Sequence, residues 1–366
     1  MLSRVRDYST AIAAGQVLVG GFEGTSVPPS IDAAIAQGQL GGLILFKRNI
    51  EGPGEVQAML HSCQSKADAR FPLLMGIDQE GGRVSRLSEP IIQLPAMRQF
   101  GRWDDPALTQ RAAHALATQL RHLGFTINFA PVLDVDSNPD NPVIGDRAFG
   151  SDASVVVRHG AAFIQGMRQA GLLNCGKHFP GHGDTVLDSH EALPRLEHSL
   201  EQLKAVELVP FRALAPELDA VMSAHIIYRA IDAAHPATLS PTILQSILRV
   251  YCGFRGCLIS DDLEMKAISL NYTVPEAAYQ AILAGCDALL ICRNTDLVWE
   301  TREYLQHQAQ GDSAFAERLF DAARRFVALR NRVQIQTPAT TDLLESLQGP
   351  EVTSLRRELE ARLHTP

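Results

Sequence analysis

The 366-residue sequence has no run approaching the ~20 consecutive apolar residues that a membrane-spanning helix needs, so no membrane span is expected. It also lacks an excess of basic charge. Lys and Arg number 33 against 41 Asp and Glu, a net charge of −8, which argues against nucleic acid or an anionic membrane as partner. The six cysteines, Cys63, Cys175, Cys252, Cys257, Cys286 and Cys292, form no CxxC pair, and most lie inside apolar runs. That pattern predicts buried, reduced thiols and no disulfide framework or zinc site. No HExxH or His-x-His arrangement is present, so no metal and no cofactor is expected. No solenoid-type repeat or low-complexity segment interrupts the chain. At the N-terminus Arg4 and Arg6 are followed by Asp7, and the weakly apolar TAIAAGQVLVGG is broken by Gln16 and glycines. A secretory signal needs a cleaner apolar run, so the expected location is cytoplasmic.

What the chain does contain is an alternation. Short apolar runs recur at 16–22, 41–46, 72–78, 126–131, 174–179, 220–225, 257–262 and 288–292. Each is too short for a helix and is bounded by glycine or polar residues, as expected of strands buried on both faces of a parallel sheet. Helical spacing fills most of the gaps, at 106–124, 154–171, 240–253 and 274–285. Gly124 stands as a stop signal, and Ser240 with Pro241 as a start signal. Eight strands alternating with helices predict a (β/α)8 TIM-type barrel, a single α/β domain over residues 1–335. An open doubly wound sheet is the runner-up, but no GxGxxG follows an early strand to support its nucleotide-binding form. Further helical patterns follow residue 292, and TPATTD (337–342) sets off a C-terminal helical tail, taken as 336–366.

Polar residues gather where these runs end. Asp78, Asp134, the pair Lys177–His178, His225 and Asp261 all fall there, and the strand starts carry no such cluster. Barrel enzymes place their chemistry at the C-terminal ends of the strands. The densest segment, GKHFPGHGDTVLDSHEALP (176–194), contains glycines and a proline that suit a shaped loop. Asp188 and His190 stand two apart there, close enough for the carboxylate to orient an imidazole that titrates near neutral pH. His182, between two glycines, is read as a brace of the loop. In CLISDDLEM (257–265) an apolar strand runs into two aspartates. Neighbours on a strand point to opposite sides, so Asp261 is expected to face the barrel mouth and Asp262 to cap the next helix. A carboxylate such as Asp261 can attack a sugar's anomeric carbon. In MGIDQEGGRVSRL (75–87), Asp78 is followed by Arg83 and Arg86, either of which can brace it or clamp a ligand. The irregular stretch 129–150 adds Asp134 and Arg147 as elements of a binding wall.

Taken in order, DQEGGRV, FAPVLDV, IGDRAFG, KHFPGHGDTVLDSH, VMSAH and SDDLEM resemble the family 3 glycoside hydrolases, most closely their β-N-acetylglucosaminidase branch. The match runs from about residue 16 to 295. The resemblance implies that Asp261 is the nucleophile and His190 the acid/base, with Asp188 as its partner. It further implies that Asp78, Arg86, Arg147, Lys177 and His178 hold the N-acetylglucosamine ring and its acetamido group. Single-domain members of the branch act in bacterial cell-wall recycling, so the implied partner is a small saccharide or muropeptide substrate, handled by a monomer. The tail beyond about residue 296 matches no family motif, and PATLSPTIL stands where a run of small residues is expected. The alternatives are β-glucosidase or β-xylosidase specificity, phosphorolysis in place of hydrolysis, a metal-dependent hydrolase, and a sugar-binding protein without turnover.

Overall fold

The computed structural model describes residues 9–185, 193–334 and 343–364. Eight parallel strands close a barrel: β1 Leu18–Gly20, β2 Gly42–Leu45, β3 Leu74–Ile77, β4 Ile127–Asn128, β5 Leu173–Phe179, β6 Ala220–Ser223, β7 Cys257–Asp262 and β8 Ala288–Ile291. Neighbours in the barrel are neighbours in the chain, and β8 pairs with β1 to close it. Each strand falls inside, or extends by one residue, a run expected from the sequence. Several are shorter than expected, β4 most of all: just past Asn128 the Ala130 N–H turns back onto the Asn128 carbonyl at 2.8 Å and leaves the regular ladder.

Alternate residues of the strands point inward and fill the barrel. Val19, Ile44, Leu74, Phe129, Cys175, Met222, Ile259 and Leu290 form one buried cluster with Phe326, Leu329 and Val333, which approach from the last helix of the barrel, Ser313–Arg330, and just beyond it. A glycine makes room for the largest of these rings: a Cβ built on Gly76 would lie 2.6 Å from the Phe129 ring. Phe129 is wholly buried, so Phe129→Ala should lower stability by about 3–5 kcal/mol in denaturant unfolding, from lost transfer energy plus the cavity left behind. A loss below about 1 kcal/mol would mean that the interior collapses around the gap.

The expected helices form at Pro106–Leu123, Ala153–Gln169, Thr242–Tyr251 and Val274–Ala284. Gly124 ends the first at φ +100°, a conformation glycine adopts without strain. Ser240 Oγ accepts the Ile243 N–H at 3.2 Å, as a start signal should. The Thr242–Tyr251 helix is wound wider than an α-helix, with the Cys252 N–H reaching back five residues to Ile247 O at 2.8 Å. The tail helices Leu343–Leu347 and Pro350–Leu363 dock on Pro106–Leu123. There Arg111 forks onto Glu358 at 2.9 and 3.0 Å, Arg362 reaches Asp105 at 2.8 Å, and Leu347, Leu355 and Leu359 are buried. All six cysteines are buried and free, as their apolar surroundings predicted. Among the described residues, no helix is long and apolar enough to cross a membrane and no group of His, Cys, Asp or Glu is arranged to hold a metal ion.

Candidate active site

The C-terminal ends of the strands surround a cavity of about 240 Å³, and its lining includes Phe46, Asp78, Glu80, Arg86, Arg147, Lys177, His178, Asp261 and Asp262. Six of the eight residues expected at the site are therefore gathered on one cavity. The other two, Asp188 and His190, lie outside the described residues.

Two irregularities in the barrel produce this convergence. On a regular strand only one of two adjacent residues can face the mouth. Between β5 and β6, the pairing steps three residues from Gly176 to Phe179 while its partner steps two, from Val221 to Ser223. The extra residue on β5 breaks the alternation at Lys177–His178, and both side chains line the cavity. Between β7 and β8 the register shifts in the same way, three residues from Ile259 to Asp262 against two from Ala288 to Leu290. Asp261 and Asp262 consequently both line the cavity, contrary to the expectation that Asp262 turns away. Nor does Asp262 cap the next helix. Its Oδ1 accepts N–H groups from Glu264 at 3.0 Å and Cys292 at 3.1 Å, tying the exits of β7 and β8 together. The helix Lys266–Ser269 begins at Met265 without a side-chain cap. The Asp262 N–H in turn donates to Asp261 Oδ1 at 2.8 Å, orienting that carboxylate from behind.

A chain of ion pairs forms the opposite wall. Lys177 Nζ lies 2.7 Å from Asp78 Oδ1 and 2.6 Å from Glu80 Oε1. The Arg147 guanidinium forks onto both Glu80 oxygens at 2.9 and 2.8 Å, and Arg86 stands 3.6 Å from Asp78. Burial alone would raise the Glu80 pKa, but the Arg147 and Lys177 cations outweigh it and hold the carboxyl well below its usual range. Burial opposes the charge on Arg147 and Lys177 too; the neighbouring carboxylates raise both pKa values and keep both groups charged. Arg83, which the sequence left as brace or clamp, is a brace. It donates to Asp146 at 2.9 Å and to the carbonyls of Val143 and Ile144, fastening the loop that carries Arg147.

Asp134 sits behind the cavity and orients two histidines. Its carboxylate takes the His178 ring Nδ1 at 2.7 Å and the main-chain N–H of His178 and of His182. A carboxylate opposite Nδ1 makes that nitrogen the donor, which leaves His178 Nε2 toward Arg147 at 3.4 Å. Burial, reinforced by His178, pulls the His182 pKa down to about 4, so this ring is neutral near pH 7. Its Nδ1 lies 2.8 Å from Thr185 Oγ1, in keeping with a bracing role. His225 is another brace, its ring joining Thr238 Oγ1 at 2.8 Å to the Asp262 carbonyl at 3.0 Å. Thr238 belongs to the PATLS stretch that departs from the family pattern, and there it also bonds Ser223 at 2.9 Å at the end of β6.

Sequence reasoning missed Glu80. Nothing local marks it as the partner of Arg147 and Lys177, 67 and 97 positions away. Its one available signal was charge: a site with Arg86, Arg147 and Lys177 needs more buried carboxylate than Asp78 supplies.

Burial pushes the Asp262 carboxyl up to about 7, helped by the nearby Glu264 and Asp261 charges. An aspartate in the unfolded chain titrates near ~3.9, so the folded state holds this proton more tightly. The stability linked to it is complete below about 4 and lost as pH rises toward 7. Asp262→Asn cannot ionise. Its melting temperature relative to the parent should therefore rise between pH 4 and pH 8, by roughly 2–4 °C. A difference that is flat across that window would overturn the assignment.

Comparison with known proteins agrees with this geometry. Residues 17–329 match the glycosyl hydrolase family 3 N terminal domain. A beta-hexosaminidase of Idiomarina loihiensis is 40% identical over 275 residues, covering 74% of this chain and 82% of that protein. A beta-hexosaminidase of Pseudomonas aeruginosa is 42% identical over 259 residues, covering 70% and 76%. Among solved structures, a family 3 beta-N-acetylglucosaminidase from a Paenibacillus species superposes with a TM-score of 0.90 at 36% identity, over 97% of this chain and 69% of that one. NagZ from Neisseria gonorrhoeae in complex with N-trifluoroacetyl-D-glucosamine does so with a TM-score of 0.80 at 30% identity, over 95% and 98%. With the barrel, the cavity at its strand ends and these relatives in agreement, the chain belongs to glycosyl hydrolase family 3 and is a glycosidase resembling the beta-hexosaminidases of that family.

Proposed function

We propose that the protein is a retaining exo-β-N-acetylglucosaminidase that removes terminal β-linked N-acetylglucosamine from peptidoglycan-derived muropeptides. The carrying observation is that Asp261 shares one cavity of about 240 Å³ with the donor set Arg86, Arg147, Lys177 and His178. The family motifs in the sequence and the sugar analogue held by the Neisseria relative support the choice of sugar.

In the first step an Asp261 carboxylate oxygen bonds to the anomeric carbon as the bond to the leaving oxygen breaks, and His190 gives that oxygen its proton. In the second step water attacks the same carbon, His190 takes the water's proton and the bond to Asp261 breaks. Two inversions at one carbon give net retention. Asp188 stabilises the protonated imidazole by opposite charge. Asp78, Arg86, Arg147, Lys177 and His178 hold the ring hydroxyls and the acetamido group. No step uses a metal or cofactor. The same reading takes the protein as a cytoplasmic monomer whose barrel spans residues 1–335, with 336–366 as an appended helical tail.

The test pairs two aryl β-glycosides that differ only in the 2-acetamido group, followed by a muropeptide disaccharide with product identification. Faster cleavage of the acetamido substrate and release of free N-acetylglucosamine support the proposal. Preference for the plain glucoside overturns the sugar assignment, and a requirement for phosphate overturns hydrolysis.

A further inference from the structure

Glu80 is 2% exposed and lines the cavity, yet both its oxygens are engaged by cations that themselves line it. Burying a carboxylate with two cations is a weak route to stability, because desolvation consumes much of the Coulombic gain. What such a network supplies is fixed geometry and a fixed charge balance. Without a partner, Arg147 and Lys177 would be two positive groups aimed at the same cavity. With Glu80 between them, Lys177 further held by Asp78 and Arg86 at 3.6 Å from Asp78, each of these three cations has a carboxylate within 4 Å. Asp261 and Asp262 add carboxyls on the far wall.

We infer that Glu80 is a positioning residue: it fixes Arg147 and Lys177 as donors and makes the cavity selective for an uncharged sugar ring over an anionic one. This rests on the proposed sugar-binding role of the cavity. A neutral ring takes N–H donors from Arg147 and Lys177 without displacing Glu80, whereas a phosphate or carboxylate must compete with Glu80 for the same donors and face the other carboxyls.

The test compares the parent with Glu80→Gln and Glu80→Asp in three measurements. These are steady-state kinetics on an aryl N-acetylglucosaminide, calorimetric binding of N-acetylglucosamine, and inhibition by inorganic phosphate at constant ionic strength. Glu80→Gln keeps the shape but turns an amide N–H₂ toward donors, leaving a buried group mispaired. It should raise KM and weaken N-acetylglucosamine binding on the order of 10–100-fold, with a smaller change in kcat. Phosphate should inhibit Glu80→Gln competitively and leave the parent unaffected. Glu80→Asp keeps the charge, so phosphate should still be excluded. A purely structural role predicts instead a lower melting temperature with unchanged KM and no phosphate inhibition, and that result would overturn the inference. So would competitive inhibition of the parent by phosphate at concentrations where N-acetylglucosamine binds, a measurement that needs no variant. If the parent neither binds nor cleaves N-acetylglucosaminides, the proposed function fails. If it does and Glu80→Gln behaves like it, only the role of Glu80 fails.

Discussion

Asp261→Ala is expected to lower kcat by about 10⁴-fold or more on an aryl N-acetylglucosaminide, the scale of losing a group that forms the covalent intermediate. The geometry behind this expectation is local. Asp261 stands at the end of β7, lines the cavity and accepts the Asp262 N–H at 2.8 Å. Asp261→Asn should be almost as inactive, because the amide keeps the volume and loses the negative charge. A slow fluorinated N-acetylglucosaminide, followed by mass spectrometry, should leave one sugar on the peptide holding residues 257–265 of the parent and none on either variant. An adduct on another peptide, or activity within about tenfold of the parent, would remove Asp261 from the role.

The second large effect concerns His190. His190→Ala should lose on the order of 10²–10⁴-fold, the usual contribution of a general acid/base. The loss should be smaller on substrates whose leaving group is already acidic, since these need less help from a proton. The pH profile should change as well: an ordinary imidazole titrates near ~6.5, and the limb of the parent profile set by that group should disappear in the variant. Equal activity of His190→Ala and the parent would dismiss the assignment. The same pH series on Asp188→Asn separates a partner from a bystander, because only a partner's removal shifts the histidine's limb.

The barrel was legible because each of its strands is a short apolar run closed by glycine or a polar residue, and strands buried on both faces have few other ways to be written. Asp78, Lys177 and Asp261 were legible for a related reason. A charged residue at the end of an otherwise apolar strand has to face water, a ligand or a partner of opposite charge. The arginines were separable only through the family resemblance, which picked Arg86: local chemistry left Arg83 and Arg86 alike, and the fold supplies the reason, bringing Asp146 and the Val143 and Ile144 carbonyls to Arg83 and Asp78 to Arg86. Of the histidines, the sequence marked His178 for the sugar through the resemblance and His182 as a brace, but it could not name their partners: Asp134 holds the His178 ring, Thr185 holds the neutral His182 at the cavity edge, and Thr238 makes His225 a strut behind β7.

The amino-acid sequence by itself determined the barrel, the end of it that carries the chemistry and the residue types gathered there, because strand periodicity and strand ends are local properties. The tertiary structure alone decided how Lys177 and His178 come to face the cavity together, that Asp262 joins Asp261 there, and that Glu80 holds Arg147 and Lys177. A bulge exists only relative to the strand beside it, and a buried carboxylate finds its partners only when distant strands close into one ring.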